Sequence, residues 1–154
     1  MANLDISRLY PTDLYTTDYV QWIESTVAKL RRQDYGAVDW QNLIEEIEDM
    51  GRSERKSLKS NFIVILLHLL KWQYQPPKRS GSWAGSIVEH RRRVRDAIAD
   101  SPSLKPYLQE SYSDWYGDAV RQAIAETQLD PETFPAICSY TLSEILDFDF
   151  LPRT

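Results

Sequence analysis

Residue type and spacing come closest to chemistry in the segment LIEEIEDM, Leu43 to Met50. On a helix turning about 100° per residue, Glu45, Glu48 and Asp49 stand at positions i, i+3 and i+4 and share one side. Leu43, Ile44, Ile47 and Met50 lie opposite. Carboxylates at this spacing, joined by a histidine from elsewhere, are the material of a hard-metal site in a helical bundle. His68 is the histidine to consider. The Glu-x-x-His spacing of di-iron bundles is absent, however, and His68 has no acid three or four residues away. An acidic stripe opposite an apolar one is also the ordinary pattern of a solvated helix face. A metal-dependent enzyme using Glu45, Glu48, Asp49 and His68 is therefore the least favoured of three readings.

Nothing else in the chain offers a stronger catalytic pattern. His68 shares a mixed flank with Asn61, Val64, Lys71 and Trp72, where a packed histidine bonded to a neighbour is expected. His90 falls on one face with Trp83, Ile87 and Val94, and it too is expected to pack. Two histidines and one cysteine exclude a zinc centre of the usual nitrogen and sulfur ligands. No glycine-framed nucleophile elbow is present, and the five glycines build no phosphate-cradling loop. No catalytic residue and no cofactor are assigned, and a non-enzymatic protein is expected.

Charge is the second functional signal. The chain of 154 residues carries a formal −5, yet Gly51 to Arg95 holds eleven basic residues against only Glu54 and Glu89. That +9 segment calls for a partner of opposite sign. One reading is an anion- or nucleic-acid-binding surface made of Arg52, Arg55, Lys59, Lys71, Lys78, Arg79, Arg92 and Arg95, with Trp83 interleaved for stacking. The other is pairing with acidic helices, within the fold or across a homo-oligomer. Arg92 lies three residues after Glu89 and four before Asp96, within reach of both on a helix. An acidic chain also repels nucleic acid at long range. Pairing and a protein partner are favoured over nucleic acid.

The elements that must position these residues read as helices. Tyr19, Trp22, Ile23, Thr26, Val27 and Leu30 keep the helical period, with Thr17 or Asp18 as cap and an end near Gln33. Asp39 can cap a second helix, and Gly51 marks a kink or a break. From Arg52 to Tyr74 runs the strongest apolar stripe, Leu58, Phe62, Ile65, Leu66 and Leu69, stopped by Pro76-Pro77. A fourth helix spans Trp83 to about Ala99 behind Ser80 or Ser82. Ser101-Pro102 opens a fifth that reaches about Thr127. Thr141 to Glu144 is a capping-box pattern for one short last helix. The expectation is a single all-α domain over residues 1–154, a bundle of about five main helices. The run Phe62–Leu70 is far short of the ~20 residues that span a membrane, so no membrane association is expected. The N-terminus shows no secretory pattern, and the lone Cys138 suits a reducing compartment. A cytoplasmic location follows as an expectation.

The blocks NLIEEIEDMGRSERKSL, LLHLLKWQYQP, RSGSW, DSPSL and SYTLSEIL follow one another at spacings that resemble the bacterial domain-of-unknown-function 29 family. The similarity extends from about Leu9 to Pro152. It implies an all-helical cytoplasmic protein with no established activity and supplies no catalytic residues. If its two signature blocks mark a site, that site holds Glu45, Glu46, Glu48, Asp49, Arg52, Glu54, His68, Lys71, Trp72 and Arg79. The expected function is a helical interaction protein, self-associating or bound to a protein partner.

Overall fold

Gly51 does not break its helix. In the computed structural model, which describes residues 13–154, one helix runs without interruption from Trp40 to Tyr74. A glycine inside a helix lowers its stability by about 1 kcal/mol relative to alanine but leaves the hydrogen-bond ladder intact. Two of the five helical stretches expected from the sequence are thus one element. The order is α1 (Leu14–Thr17), α2 (Tyr19–Arg31), α3 (Trp40–Tyr74), α4 (Gly81–Asp100), α5 (Leu104–Thr127) and α6 (Leu142–Leu146). Short 3-10 turns at Tyr35–Ala37, Pro76–Lys78 and Pro131–Thr133 join them. The described residues contain no strand, and the fold is all-α. The chain divides into two compact units, Met1–Gly51 and Arg52–Thr154, with α3 passing from one to the other.

Helix starts obey side-chain chemistry. Asp18 accepts the Gln21 amide at 3.0 Å, and Asp39 accepts that of Asn42 at 3.3 Å. Ser80 takes the Trp83 amide at 3.3 Å. Thr141 and Glu144 close a reciprocal capping box at 3.2 and 2.8 Å. Each satisfies a helical N–H that has no partner within its own helix. Helix α5 departs from expectation: it begins at Leu104, after a Ser101–Ser103 turn, and Pro106 sits in its first turn. Proline is tolerated there because that N–H would have no helical acceptor. The four-residue α1 has no sequence signature, being too short to show a period.

In the first unit, α1 and α2 lean together through the rings of Tyr15, Tyr19 and Trp22, whose centroids are 4.9–6.0 Å apart. Among its described residues, Trp22, Thr26 and Val38 are buried. The Tyr19–Glu46 bond and a cleft lined by both Thr26 and Asn42 set α2 antiparallel to the start of α3.

The second unit owns the large core. Leu58, Phe62, Ile65, Leu66, Leu69 and Leu70 are sealed from solvent, with Ile63 and Leu67 nearly so. Helix α3 is apolar almost all round here because neighbours cover it on several sides. Ile87 and Val94 enter from α4, and Leu108, Trp115, Ala119 and Ala123 from α5. Phe134, Tyr140 and Ile145 close the core from the C-terminal segment. The segment lacks regular structure between Thr133 and Thr141, yet Tyr116 donates to the Pro135 carbonyl at 2.7 Å and Tyr140 donates to Gln73 Oε1. The first ties loop backbone to α5, and the second ties a loop side chain to α3.

Candidate interaction surfaces

In the first unit the acidic side of α3 is partly occupied. Glu46 accepts the Tyr15 hydroxyl at 2.5 Å and the Tyr19 hydroxyl at 2.6 Å. The carboxylate beside it pushes the Tyr15 phenol up to about 12, and Tyr19 is raised for the same reason. Glu45, Glu48 and Asp49 stand exposed on the flank beyond Glu46. His68 belongs to the second unit. Its Nδ1 donates to the Val64 carbonyl at 2.9 Å, one helical turn back, and burial lowers its pKa. His90 donates likewise to the Ser86 carbonyl at 2.7 Å. Among the described residues, no group of three or more His, Cys, Asp or Glu side chains is placed to hold a metal ion.

The apolar side of the same segment is uncovered. Ile44, Ile47 and Met50 are 53%, 58% and 66% exposed, and Trp40 begins the row at 46%. Helix α2 adds Val20, Ile23 and Val27, all exposed. On α2 these lie about 100° past the direction of Trp22 and Thr26, which face α3. On α3, Ile44 and Ile47 are displaced in the same rotational sense from Glu46 and Asn42, which face α2. Antiparallel helices reverse that sense in space, so both rows come to the same side of the hairpin. Helical phase therefore turns both exposed rows toward the same side of the first unit.

The basic residues of the second unit mostly have partners. Lys59 pairs with Asp118 at 3.2 Å, and Lys71 with Glu126 at 2.7 Å while standing 4.7 Å over the Trp83 ring. Arg55 lies over Tyr107, and Arg79 over Trp72, whose carbonyl accepts its Nε at 2.8 Å. Arg92 bridges Glu89 and Asp96, and Arg93 shares Glu89. Arg95 donates to the Leu146 carbonyl at 3.1 Å with its guanidinium over Phe148. Arg52 is exposed on α3, and Lys78 is exposed in the 3-10 turn before α4.

Glu89 supplies a pH test of this pairing. Hydrogen bonds from Arg92 and Arg93 pull its carboxyl down to about 2 from the ordinary 4.5. A depressed folded-state pKa stabilises the protein above pH ~4.5 and ceases to do so as pH falls toward ~2. The group lies at the surface, so water screens the effect on stability. The expected result is a Glu89 side-chain NMR titration centred near pH 2 that moves upward in Arg92→Gln. A midpoint unchanged by that substitution would show that the pair does not persist in solution.

One of the eleven basic residues of the Gly51–Arg95 segment, given no role by the sequence, is buried in the second unit. Arg91 is wholly buried, donating from Nε to the Ile145 carbonyl at 2.7 Å and from Nη2 to that of Glu144 at 3.3 Å. Its spacing from Ile87 and Val94, four back and three on, is the signal that places it on the buried face. Hollows lie among the described residues of each unit. A cleft of about 500 Å³ in the first unit is lined by Trp22, Lys29, Asp39 and Asn42, and the Trp22 indole N–H is buried without an acceptor. A groove of about 700 Å³ in the second unit lies among the end of α4, the start of α5 and α6.

The fold and its surfaces define an all-α protein with an exposed apolar helix pair and a densely paired basic segment. The chain belongs to the family described as a domain of unknown function, DUF29, whose model matches residues 14–151. No curated protein and no solved structure matches the chain. Among the described residues no helix is long and apolar enough to cross a membrane.

Proposed function

We propose that this protein is a non-enzymatic helical interaction protein that self-associates through the α2/α3 face of its first unit. The observation that carries the reading is the exposed row Trp40, Ile44, Ile47 and Met50 beside Val20, Ile23 and Val27. Taking roughly 150–250 Å² for a large side chain, these partial exposures leave about 700 Å² of apolar surface, near the ~800 Å² each partner gives to a standard interface. Monomeric proteins rarely leave such a patch uncovered.

Charge favours a second copy as the occupant. Glu24 and Arg31 edge the apolar row of α2, seven residues apart, and neither has an ion-pair partner among the described residues. Two α2 helices crossing antiparallel near Val27 would set each Glu24 against the Arg31 of the other copy. The result is isologous and closed. Lone Cys138 agrees with a reducing, cytoplasmic setting. Nucleic-acid binding draws less support, because Lys59, Lys71, Arg79 and Arg92 are already engaged within the chain.

Size-exclusion chromatography with light scattering tests the reading. Wild type should elute near twice the 18.0 kDa of one chain, and Ile47→Glu as a single chain with unchanged helical circular dichroism. Arg31→Glu should weaken the dimer, and adding Glu24→Arg should restore it. A monomeric wild type at high micromolar concentration, or a dimer indifferent to Ile47→Glu, would overturn the proposal.

A further inference from the structure

The second-unit groove has a chemistry of its own. Ile98 of α4, Leu108 of α5, and Leu142 and Leu146 of α6 give it an apolar lining. Two cations, Arg95 and Lys105, line it as well, and both are exposed. Arg95 is held in place by the Leu146 carbonyl and the Phe148 ring, neither of which neutralises its charge. Lys105 has no ion-pair partner among the described residues. The acid in the lining is Asp147, whose Oδ1 accepts the Asp149 amide at 2.9 Å. Its charge also acts on the guanidinium of Arg91, which bonds to carbonyls and to no carboxylate. Among the lining residues the groove therefore sets two cations against one carboxylate, an excess of one positive charge.

From this arrangement we infer that the groove between α4, α5 and α6 is a binding site for a small amphiphilic anion, a carboxylate carrying an aliphatic chain. The chain would lie on the half-buried Ile98, Leu142 and Leu146, and the carboxylate would sit between Arg95 and Lys105. A volume of about 700 Å³ suits a ligand of that size. A compact anion such as phosphate could use the cations but would leave the aliphatic lining without a contact. An uncharged chain could use the lining but would forgo both charge-assisted bonds, which are the stronger kind.

The experiment titrates decanoate, below its micelle-forming concentration, into the full-length protein, with calorimetry and amide NMR as readouts. Decanol and inorganic phosphate serve as the chain without the charge and the charge without the chain. One decanoate per chain is expected, with amide shifts confined to the segments around Arg95–Ala99, Lys105 and Leu142–Asp147. Decanol and phosphate should each bind at least ten-fold more weakly, and decanoate affinity should fall as salt rises. Lys105→Glu removes an exposed side chain that bonds to nothing else, so the fold is expected to persist while decanoate affinity drops ten-fold or more. Lys105→Arg should retain binding. Equal binding of decanol and decanoate, indifference to Lys105→Glu, or shifts gathered on Val20 and Ile47 would each overturn the inference. The last outcome would leave the self-association reading standing, since that reading concerns the other unit.

Discussion

Arg91→Ala is expected to destabilise the second unit by about 4 kcal/mol, through a cavity where the largest sealed side chain had been and two stranded carbonyls. The arginine is 0% exposed and supplies the N–H donors for the Glu144 and Ile145 oxygens at the end of α6. For a chain of this length the loss corresponds to a fall in Tm of about 10 °C. Arg91→Met keeps most of the volume and loses the bonds, and it should cost about half as much. The comparison isolates packing, because both variants lose the bonds and the buried charge alike and differ in the volume they fill. Urea titrations read by circular dichroism measure both. If alanine and wild type unfold at the same urea concentration, the buried placement of Arg91 is wrong.

Phe62→Ala carries the second large effect, about 3–5 kcal/mol by the usual penalty for emptying an aromatic site in a core. Phe62 is sealed from solvent on α3 and meets the rings of Tyr112 and Trp115 edge-on, at 6.3 and 5.8 Å between centroids. The loss therefore combines transferred area, a cavity and two ring contacts. Phe62→Leu, which refills most of the space, should cost less than about 1.5 kcal/mol. Chemical denaturation gives the values directly. A small effect for alanine would mean that α5 closes onto α3 without this side chain.

The helices were legible because local signals and burial agree. Asp18, Asp39, Ser80 and Thr141 cap where their sequence positions indicate, and the Leu58–Leu69 stripe is the core. Gly51 was ambiguous because the lower helix propensity of a single glycine does not decide whether a helix continues. The surfaces were harder to read. Periodicity shows that Leu43, Ile44, Ile47 and Met50 share a side of α3, but it carries no information about what covers that side. Three of them are exposed. Glu46 stood among three other acids with nothing to mark it, since its partners Tyr15 and Tyr19 come from α1 and α2. Arg91 sits in the run HRRRVR, whose composition reads as surface although its register does not. Charge counting cannot separate Arg91 from Arg92 and Arg93; the helical phase can.

The bond between Arg91 and α6 also sets an order of events at synthesis. Domains emerge from the ribosome N-terminus first, so α4, which ends at Asp100, is complete more than forty residues before Glu144 and Ile145 can offer their oxygens. Until then the guanidinium must stay hydrated, which keeps α4 from settling against α3. The second unit can complete its packing only once α6 has been made, and a message truncated after Tyr140 would yield a product for quality-control proteases.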